Sequence, residues 1–218
     1  MKKLRAVLFD MDGLLIDTER INMACARQVA QEMGFELDIP KLARTVCGVR
    51  RAFAVQAYAS VLPESIDAQV FYDRKNELLQ HTLETEGAPA MKGAAELLTW
   101  LNVQGISCVL ATATRYETAE NRMRAAGLWH LLPYRITGDD VIRSKPDPET
   151  YLKAAALAGV SPSECLVLED SFNGIRSGRA SGALVGMVPD SLPYSEECAP
   201  YCDQVFHDLT EVIAWIEA

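Results

Sequence analysis

Two kinds of hydrophobic pattern alternate along the chain. Short continuous apolar runs, bounded by polar or turn-forming residues, cover residues 5–9, 106–111, 165–168 and 183–188. Such runs are typical of strands that are buried on both faces of a parallel sheet. Apolar residues recur at helical spacing in residues 94–101, 119–126, 151–156 and 209–216. Strands that alternate with helices in this way predict a doubly wound α/β fold with a parallel sheet.

One long segment after the first predicted strand breaks this alternation. No strand-like run occurs between residues 18 and 86. Apolar residues instead recur every four positions, at Ile21, Cys25, Val29 and Met33. A further helix is predicted over residues 65–84, which contain few helix-breaking residues. The segment therefore predicts a helical insert.

The end of the helical segment indicates how the chain is organised. A stretch rich in glycine and proline follows at residues 87–93, and this composition is typical of a hinge. We therefore predict a helical insert over residues 17–87 within an α/β unit formed by residues 1–16 and 88–218. With 218 residues, of which 49% are hydrophobic, the chain is long enough to bury the core that this arrangement needs.

Charge and hydropathy restrict the partners of the chain. The net charge of -9 repels nucleic acid and anionic membranes, so we expect neither as a partner. The apolar stretches are shorter than the ~18 residues of a spanning helix, and the four apolar residues before Asp10 are too few for a signal peptide. We expect a cytoplasmic protein that is a monomer or a weak homodimer. An anionic substrate would require a local cation or metal.

Polar and charged residues follow directly after several of the predicted strands. In an open α/β sheet, ligands bind at the carboxyl ends of the strands, where the strand order reverses. The segments expected at that edge are residues 10–12, 112–115, 144–146 and 169–171. We therefore expect several carboxylates, a hydroxyl and an ammonium group to converge on one site.

Four short motifs contain these segments. They are DMDGLLIDT at 10–18, LAT at 110–112, SKPD at 144–147 and LEDSFNGI at 168–175. Each is weak alone, but the four together, in this order and at fitting spacing, resemble the haloacid dehalogenase superfamily and its phosphatase branch in particular. The last two motifs are similar to those of the β-phosphoglucomutase and sugar-phosphatase group. The resemblance implies a Rossmann-like core, with the helical insert as the small α-helical cap of the family.

By this resemblance, Asp10 attacks phosphorus to form an aspartyl-phosphate. Asp12 protonates the leaving alkoxide and then deprotonates the hydrolytic water, while Lys145 neutralises charge on the phosphoryl oxygens. Hydrolysis of phosphate monoesters is among the slowest uncatalysed reactions, so a covalent intermediate that divides it into two steps is useful. The predicted function is a phosphatase that acts on a small phosphorylated metabolite such as a sugar or polyol phosphate.

Carboxylates crowded at this site require a cation between them. At ~4 Å their repulsion is about 4 kcal/mol per pair at an effective dielectric constant of about 20. Oxygen ligands without histidine or thiolate fit Mg²⁺, which is held by one or two carboxylates and the substrate phosphate. We assign Asp10, the backbone carbonyl of Asp12 and Asp170 as ligands. Glu169 is expected to be an auxiliary or outer-shell ligand.

Substrate contacts are expected from both parts of the chain. In the core, the Thr112 hydroxyl and nearby backbone N–H groups, including that of Ala113, would hold phosphoryl oxygens, and Arg115 lies in the same loop. In the insert we expect contacts from Asn22 and Arg50. Arg50 follows the glycine loop at 47–49, which resembles the family's substrate-specificity loop. Three further cations of the insert are expected to be solvated helix charges: Arg51, Arg74 and Lys75.

A β-phosphoglucomutase-type phosphotransferase is the main alternative. Such mutases usually carry a histidine where this chain has Asn22, and asparagine cannot act as a base or proton relay. A phosphonatase would need a cap lysine that forms a Schiff base, a role for which nothing marks Lys75. A haloacid dehalogenase proper would not carry the acid–base aspartate seen at Asp12. A non-catalytic regulatory binding protein is disfavoured because the chain retains Asp10, Asp12, Lys145 and Asp170.

Overall fold

The computed structural model describes residues 4–46, 51–190 and 193–218. Within them the chain forms a parallel sheet of the strands β1 (Ala6–Phe9), β2 (Ser107–Ala111), β3 (Tyr134–Ile136), β4 (Cys165–Glu169), β5 (Leu184–Met187) and β6 (Gln204–Val205). Their order across the sheet is β3-β2-β1-β4-β5-β6. The strand order reverses at β1, because the earlier crossovers run to one side of it and the later ones to the other. A doubly wound sheet binds its ligands at such a point.

The register of the three central strands aligns their carboxyl ends. Phe9 of β1 is level with Leu110 of β2 and with Leu168 of β4. The segments after these strands therefore begin at one edge of the sheet. Every residue of β1 is buried, as expected for a strand that is covered on both faces. The strand thus holds the following residue, Asp10, at a fixed place.

Four helices occupy the described residues between β1 and the next α/β element. They are α1 (Thr18–Glu32), α2 (Ile39–Val46), α3 (Arg51–Ala59) and α4 (Ala68–Thr85). They pack around a cluster of their own, which includes Val29, Leu42, Tyr58 and Phe71. The predicted helical insert is confirmed. The exact bounds of core and cap, residues 17–87 for the latter, stay a prediction.

The remaining helices cover both faces of the sheet. They are α5 (Ala94–Val103), α6 (Tyr116–Ala125), α7 (Glu149–Leu157), α8 (Phe172–Ser181) and α9 (Thr210–Glu217). Phe9 packs in one cluster with residues of α5, α6 and α9, whereas Leu8 packs in the other with residues of α7 and α8. Successive residues of a strand face opposite sides, which explains this division. The predicted doubly wound α/β fold is confirmed. Across the described ranges, no helix combines the length and apolar character needed to cross a membrane.

The apolar pattern does not predict β3, β6 or α8. The two strands are short and lie at the edges of the sheet, so they lack a long apolar run. Helix α8 contains Gly174 and Gly178, and glycine has a low helix propensity. Packing nevertheless requires Gly178, because a Cβ added there would lie 2.9 Å from Cγ1 of Val167. The helix approaches the sheet too closely for a larger residue.

Candidate active site

Lys145 lies between two carboxylates at the carboxyl edge of the sheet. Its Nζ donates to Oδ1 of Asp10 at 2.5 Å, to Oε1 of Glu169 at 2.7 Å and to the backbone carbonyl of Ala111 at 3.0 Å. Asp10 follows β1, Glu169 ends β4 and Ala111 ends β2. The side chain of Lys145 is 8% exposed and that of Glu169 is 0% exposed, so water screens these contacts weakly. The ammonium group of Lys145 therefore contacts residues at the carboxyl ends of three neighbouring strands.

The Glu169 carboxylate is surrounded by hydrogen-bond donors. Besides the contact with Lys145, Oε1 accepts from the Tyr151 hydroxyl at 2.7 Å. Oε2 accepts from the hydroxyl and backbone N–H of Ser171 at 2.9 and 3.1 Å. Burial opposes the ionisation of Glu169, but Lys145 and these donors outweigh it and hold its pKa below the ordinary value. A carboxylate with this many hydrogen bonds is suited to orient Lys145 and is less free to bind a metal ion directly.

The Glu169 carboxylate occupies space that is available only because residue 174 is a glycine. A Cβ added to Gly174 would lie 1.8 Å from both Cδ and Oε1 of Glu169. Ser171 is the N-cap of α8, and its hydroxyl oxygen accepts from the backbone N–H of Gly174 at 3.1 Å. The Ser171 cap, Gly174 and the Glu169 carboxylate therefore pack against one another within the fourth motif.

Asp10 and Asp170 are partly buried and lie close to each other and to the fully buried Glu169. Burial raises the pKa of Asp10 to about 7. The positive charge of Lys145 opposes this rise, and the negative charge of Glu169 adds to it. Burial also raises the pKa of Asp170 well above its ordinary value, with further contributions from Glu169 and Asp10. Burial alone would lower the pKa of Lys145, but attraction to Asp10 and Glu169 raises it above the ordinary value. Among the described residues, the Lys145 ammonium contacts two of these three carboxylates, Asp10 and Glu169, so negative charge exceeds positive charge in the cluster.

The cluster has the donor set of a hard divalent cation. Asp10, Glu169 and Asp170 each place one oxygen within 4.8 Å of the others. Carboxylate oxygens and a deficit of positive charge fit Mg²⁺. The turn that carries Asp12 packs directly on this group, because a Cβ added to Gly13 would lie 2.5 Å from Oδ2 of Asp170. The residues present therefore fit a cation held by Asp10 and Asp170, and the Asp12 carbonyl remains a predicted ligand.

Both carboxylate oxygens of Asp12 accept a hydrogen bond. The Thr114 hydroxyl donates to Oδ2 at 2.9 Å, and Nη1 of Arg122 donates to Oδ1 at 3.1 Å. Asp12 is also joined by an isolated β-bridge to Ile16, which fixes the backbone of this turn. Asp12 thus lies beside the Asp10 cluster with its side chain held from the side of α6.

The loop after β2 carries the predicted phosphate-binding residues. Thr112 is buried, and its hydroxyl oxygen accepts from the backbone N–H of Thr114 at 3.1 Å. Ala113 is exposed at the same strand end. The side chain of Arg115 is 85% exposed and lies 4.0 Å from the Asp139 carboxylate, and its predicted substrate contact stays a prediction. Its position at the start of α6 directs it to solvent.

Lys75 is buried, so the prediction that it is a solvated helix charge is wrong. The residue is 4% exposed, and its Nζ donates to Oδ1 of Asn22 at 2.8 Å. The ammonium also lies 5.6 and 5.3 Å from the ring centroids of Tyr58 and Tyr72. Burial lowers the pKa of Lys75 to about 8, and Glu19 opposes this change. Aromatic rings can take the place of part of the water around a cation.

Asn22 and Lys75 line a cavity of about 450 Å³ among the four helices α1 to α4. The amide nitrogen of Asn22 donates to Oε2 of Glu19 at 3.1 Å, which fixes the side chain. Arg74, as expected, is exposed and pairs with Glu32 at 2.7 Å. Arg50 and the glycine loop before it lie outside the described residues, as does the Arg51 side chain.

Sequence reasoning missed four side chains that the structure places at these sites. Tyr151 occupies an apolar position of a predicted helix, where only its hydroxyl could have indicated a polar partner. Thr114 lies within the predicted strand-end segment but carried no assignment. Arg122 and Lys75 have the spacing of ordinary helix-surface cations, and no local pattern distinguishes them. Their partners, Asp12 and Asn22, come from other elements of the fold.

A larger cavity, of about 890 Å³, lies at the opposite edge of the sheet. Its lining includes residues that precede the strands or lie on α5 and α9, such as Leu4, Trp100, Ile106 and Trp215. The carboxylate cluster contributes nothing to this lining. Volume alone therefore does not identify the active site, whereas converging titratable groups do.

Comparison with known proteins identifies relatives of this chain. Residues 7–188 match the family described as haloacid dehalogenase-like hydrolase. Hexitol phosphatase A from Escherichia coli (strain K12) is 31% identical over 95% of this chain and 93% of its own length. The phosphorylated carbohydrates phosphatase of Thermotoga maritima is 30% identical over 82% of each chain.

A solved structure extends the comparison to three dimensions. The HAD family hydrolase from Deinococcus radiodurans R1, which contains bound phosphate and sodium, superposes with a TM-score of 0.80 at 26% identity. The alignment covers 100% of this chain and 98% of that chain. Together with the family match, this likeness confirms the resemblance inferred from the four motifs.

Proposed function

The chain belongs to the haloacid dehalogenase-like hydrolases, and we propose that it releases phosphate from a small sugar or polyol phosphate through an aspartyl-phosphate on Asp10. Its class, a hydrolase of phosphate monoesters, follows from the family and the phosphatases among its relatives. The observation that carries the mechanism is the partly buried contact between Asp10 and Lys145 at the end of β1. The names of the relatives, which refer to hexitol and carbohydrate phosphates, support the substrate class.

In the first half-reaction, a carboxylate oxygen of Asp10 forms a bond to phosphorus. The bond between phosphorus and the substrate oxygen breaks, and Asp12 gives its proton to the departing alkoxide. Asp10 is held in place by Lys145 and by its own backbone N–H, which donates to the carbonyl of Leu168 at 3.1 Å. Lys145 balances negative charge that spreads over the phosphoryl oxygens.

In the second half-reaction, the Asp12 carboxylate takes a proton from water. The water oxygen attacks phosphorus, the bond to Asp10 breaks, and inorganic phosphate leaves. The proton on Asp12 is then available for the next leaving group. Mg²⁺ bound at Asp10 and Asp170 would supply positive charge for the phosphoryl group. The loop at Thr112 and Ala113 offers hydroxyl and backbone donors to the phosphoryl oxygens.

We further propose that the helical insert, residues 17–87, is a mobile cap. Its two connections to the core run side by side, since the backbone N–H of Asp17 donates to the carbonyl of Pro89 at 2.9 Å and Ile16 forms a β-bridge with Ala90. Two adjacent connections suit a hinge. Closure would exclude bulk water while the alkoxide departs.

A phosphotransferase of the β-phosphoglucomutase type is not favoured. The relatives described above are phosphatases. Asn22 contacts Lys75 and Glu19, and its amide has no titratable proton to relay. The cap therefore lacks, at position 22, the group that would couple closure to acid–base chemistry in a mutase.

A phosphorus NMR time course with purified protein, Mg²⁺ and a panel of hexitol, glycerol and hexose phosphates tests the proposal. We expect the inorganic phosphate signal to grow without isomerised sugar phosphate. Asp10→Asn should abolish release and keep the fold, whereas Asp73→Asn on the exposed face of α4 is the matched control. Near-normal release by Asp10→Asn would mean that water attacks directly. Rapid interconversion of glucose 1- and 6-phosphates with negligible free phosphate would favour the mutase.

A further inference from the structure

Arg122 is a shielded charge without a role in the reaction described above. It lies on α6, and its Nη1 donates to Oδ1 of Asp12 at 3.1 Å. Its side chain is only 14% exposed, although arginines are mostly exposed in proteins. The Thr114 hydroxyl donates to the other oxygen of Asp12 at 2.9 Å. Each oxygen of the acid–base carboxylate is therefore held by a separate donor.

The backbones on both sides of this contact are fixed. Ala119 and Met123 of α6 are fully buried against the sheet, and they anchor the turn of the helix that carries Arg122. The turn that carries Asp12 is closed by the backbone N–H of Gly13, which donates to the carbonyl of Ile16 at 2.9 Å. The main freedom left to Asp12 is rotation of its side chain. Donors on two different oxygens restrict that rotation.

A comparison within α6 shows that Arg122 differs from an ordinary surface arginine. Arg124 is 61% exposed and pairs with Glu120, four residues earlier on the same helix, at 2.7 Å. Such exposed pairs contribute little to stability. Arg122 instead reaches a carboxylate 110 residues away in sequence, in the first motif. Its contact therefore connects two parts of the site.

We propose that Arg122 is a positioning residue that sets the orientation of the Asp12 carboxylate for proton transfer. The inference rests on the proposed function, in which Asp12 serves both the leaving alkoxide and the hydrolytic water. A proton donor must lie within hydrogen-bond reach of the atom it serves, and small displacements reduce the rate strongly. Arg122 acts through Asp12 and does not touch the reacting phosphorus.

The test compares two leaving groups that differ in their need for a proton. The p-nitrophenolate of p-nitrophenyl phosphate departs without protonation, whereas the alkoxide of an alkyl phosphate, such as glycerol 3-phosphate, requires it. The ratio kcat/KM covers the steps up to the phosphoenzyme, so the shared water step does not enter it. The variants are Arg122→Met, Arg122→Lys and the control Arg124→Met, each assayed well below its measured Tm.

For Arg122→Met, we expect kcat/KM to fall about tenfold or more on the alkyl phosphate and less than about twofold on p-nitrophenyl phosphate. Arg122→Lys keeps a charged donor and should recover part of the loss. Arg124→Met should match the wild type on both substrates. An equal loss on both substrates, or no loss on either, would overturn the inference while leaving the proposed function intact. A wild-type protein that releases phosphate from p-nitrophenyl phosphate and from the whole panel of hexitol, glycerol and hexose phosphates at no measurable rate would refute the proposed function and this inference with it.

Discussion

The hydroxyl of Tyr151 donates a 2.7 Å hydrogen bond to Oε1 of Glu169, the same oxygen that accepts from Lys145. Tyr151 is fully buried, and burial raises its pKa well above the ordinary value, so the hydroxyl keeps its proton and remains a donor. The contact lies near Asp10, the proposed nucleophile, and stabilises the carboxylate that accepts a hydrogen bond from Lys145. Replacement of this tyrosine therefore affects both stability and chemistry.

Tyr151→Phe should destabilise the fold and slow turnover. A hydrogen bond to a charged group contributes about 1.5–3 kcal/mol, and its loss leaves the Glu169 carboxylate with one donor fewer. Denaturant unfolding and kcat on the best substrate are the measurements. Tyr116→Phe, at a half-exposed position on α6, is the control. Unchanged stability and unchanged kcat in Tyr151→Phe would show that the hydroxyl does not support Glu169.

Gly174→Ala should displace the Glu169 carboxylate, because the added methyl would lie 1.8 Å from its Cδ. Overpacking at a rigid site costs about 1–3 kcal/mol, and here the displaced group is also a buried charge. We expect lower Tm and a large loss of activity per folded molecule. Gly178→Ala on the same helix meets apolar atoms of Val167 and Val185 instead. That control should lose stability but keep activity per folded molecule, and an active Gly174→Ala would contradict the argument.

The sequence predicts the core of the site because local patterns determine it. An apolar run ends at Asp10 and another at Glu169, and parallel strands bring their carboxyl ends together. The surroundings of these residues are not encoded locally. Tyr151 and Arg122 lie on helices whose residue pattern is explained by packing and surface exposure alone. Only the folded chain shows which carboxylate each of them contacts. The same holds for β3, whose three residues form a strand because β2 lies beside them.

Lys75→Met should stabilise the protein at neutral pH. The folded-state pKa of Lys75 is about 8, below its ordinary value of 10.5. A difference of this size corresponds to a penalty of about 3 kcal/mol on the charged form. The penalty is present in full below pH 8, where the unfolded and folded states must both carry the charge. It decreases as pH rises from about 8 towards 10.5, because the folded lysine releases its proton first.

The measurement is the difference in unfolding free energy between Lys75→Met and the wild type from pH 7 to pH 10. We expect a gain of about 1–3 kcal/mol at pH 7 that shrinks at higher pH, since the lost contacts with Asn22 and the tyrosine rings offset part of it. Arg74→Met, on the exposed face of the same helix, should show a small difference that does not change with pH. A constant gain for Lys75→Met across this range would contradict the low pKa.

Asp170→Asn should be more stable than the wild type without Mg²⁺ and less stable than the wild type with it. Without metal, three carboxylates lie close together in the described part of the wild type, and burial together with Glu169 and Asp10 raises the pKa of Asp170. Removal of one of these charges relieves repulsion. We therefore expect Asp170→Asn to have the higher Tm in EDTA at pH 7.5.

With Mg²⁺ the order of the two proteins should change. A ligand at about 100 times its Kd stabilises the folded state by about 2.7 kcal/mol, and the wild type should gain such an amount because the cation relieves the same repulsion. Asp170→Asn lacks one of the two proposed carboxylate ligands, so its Tm should respond weakly at equal Mg²⁺ and its turnover should be low. Asp73→Asn should follow the wild type in both buffers. Equal Mg²⁺-induced Tm shifts in Asp170→Asn and the wild type would place the cation elsewhere, and full wild-type activity in excess EDTA would remove it from the reaction.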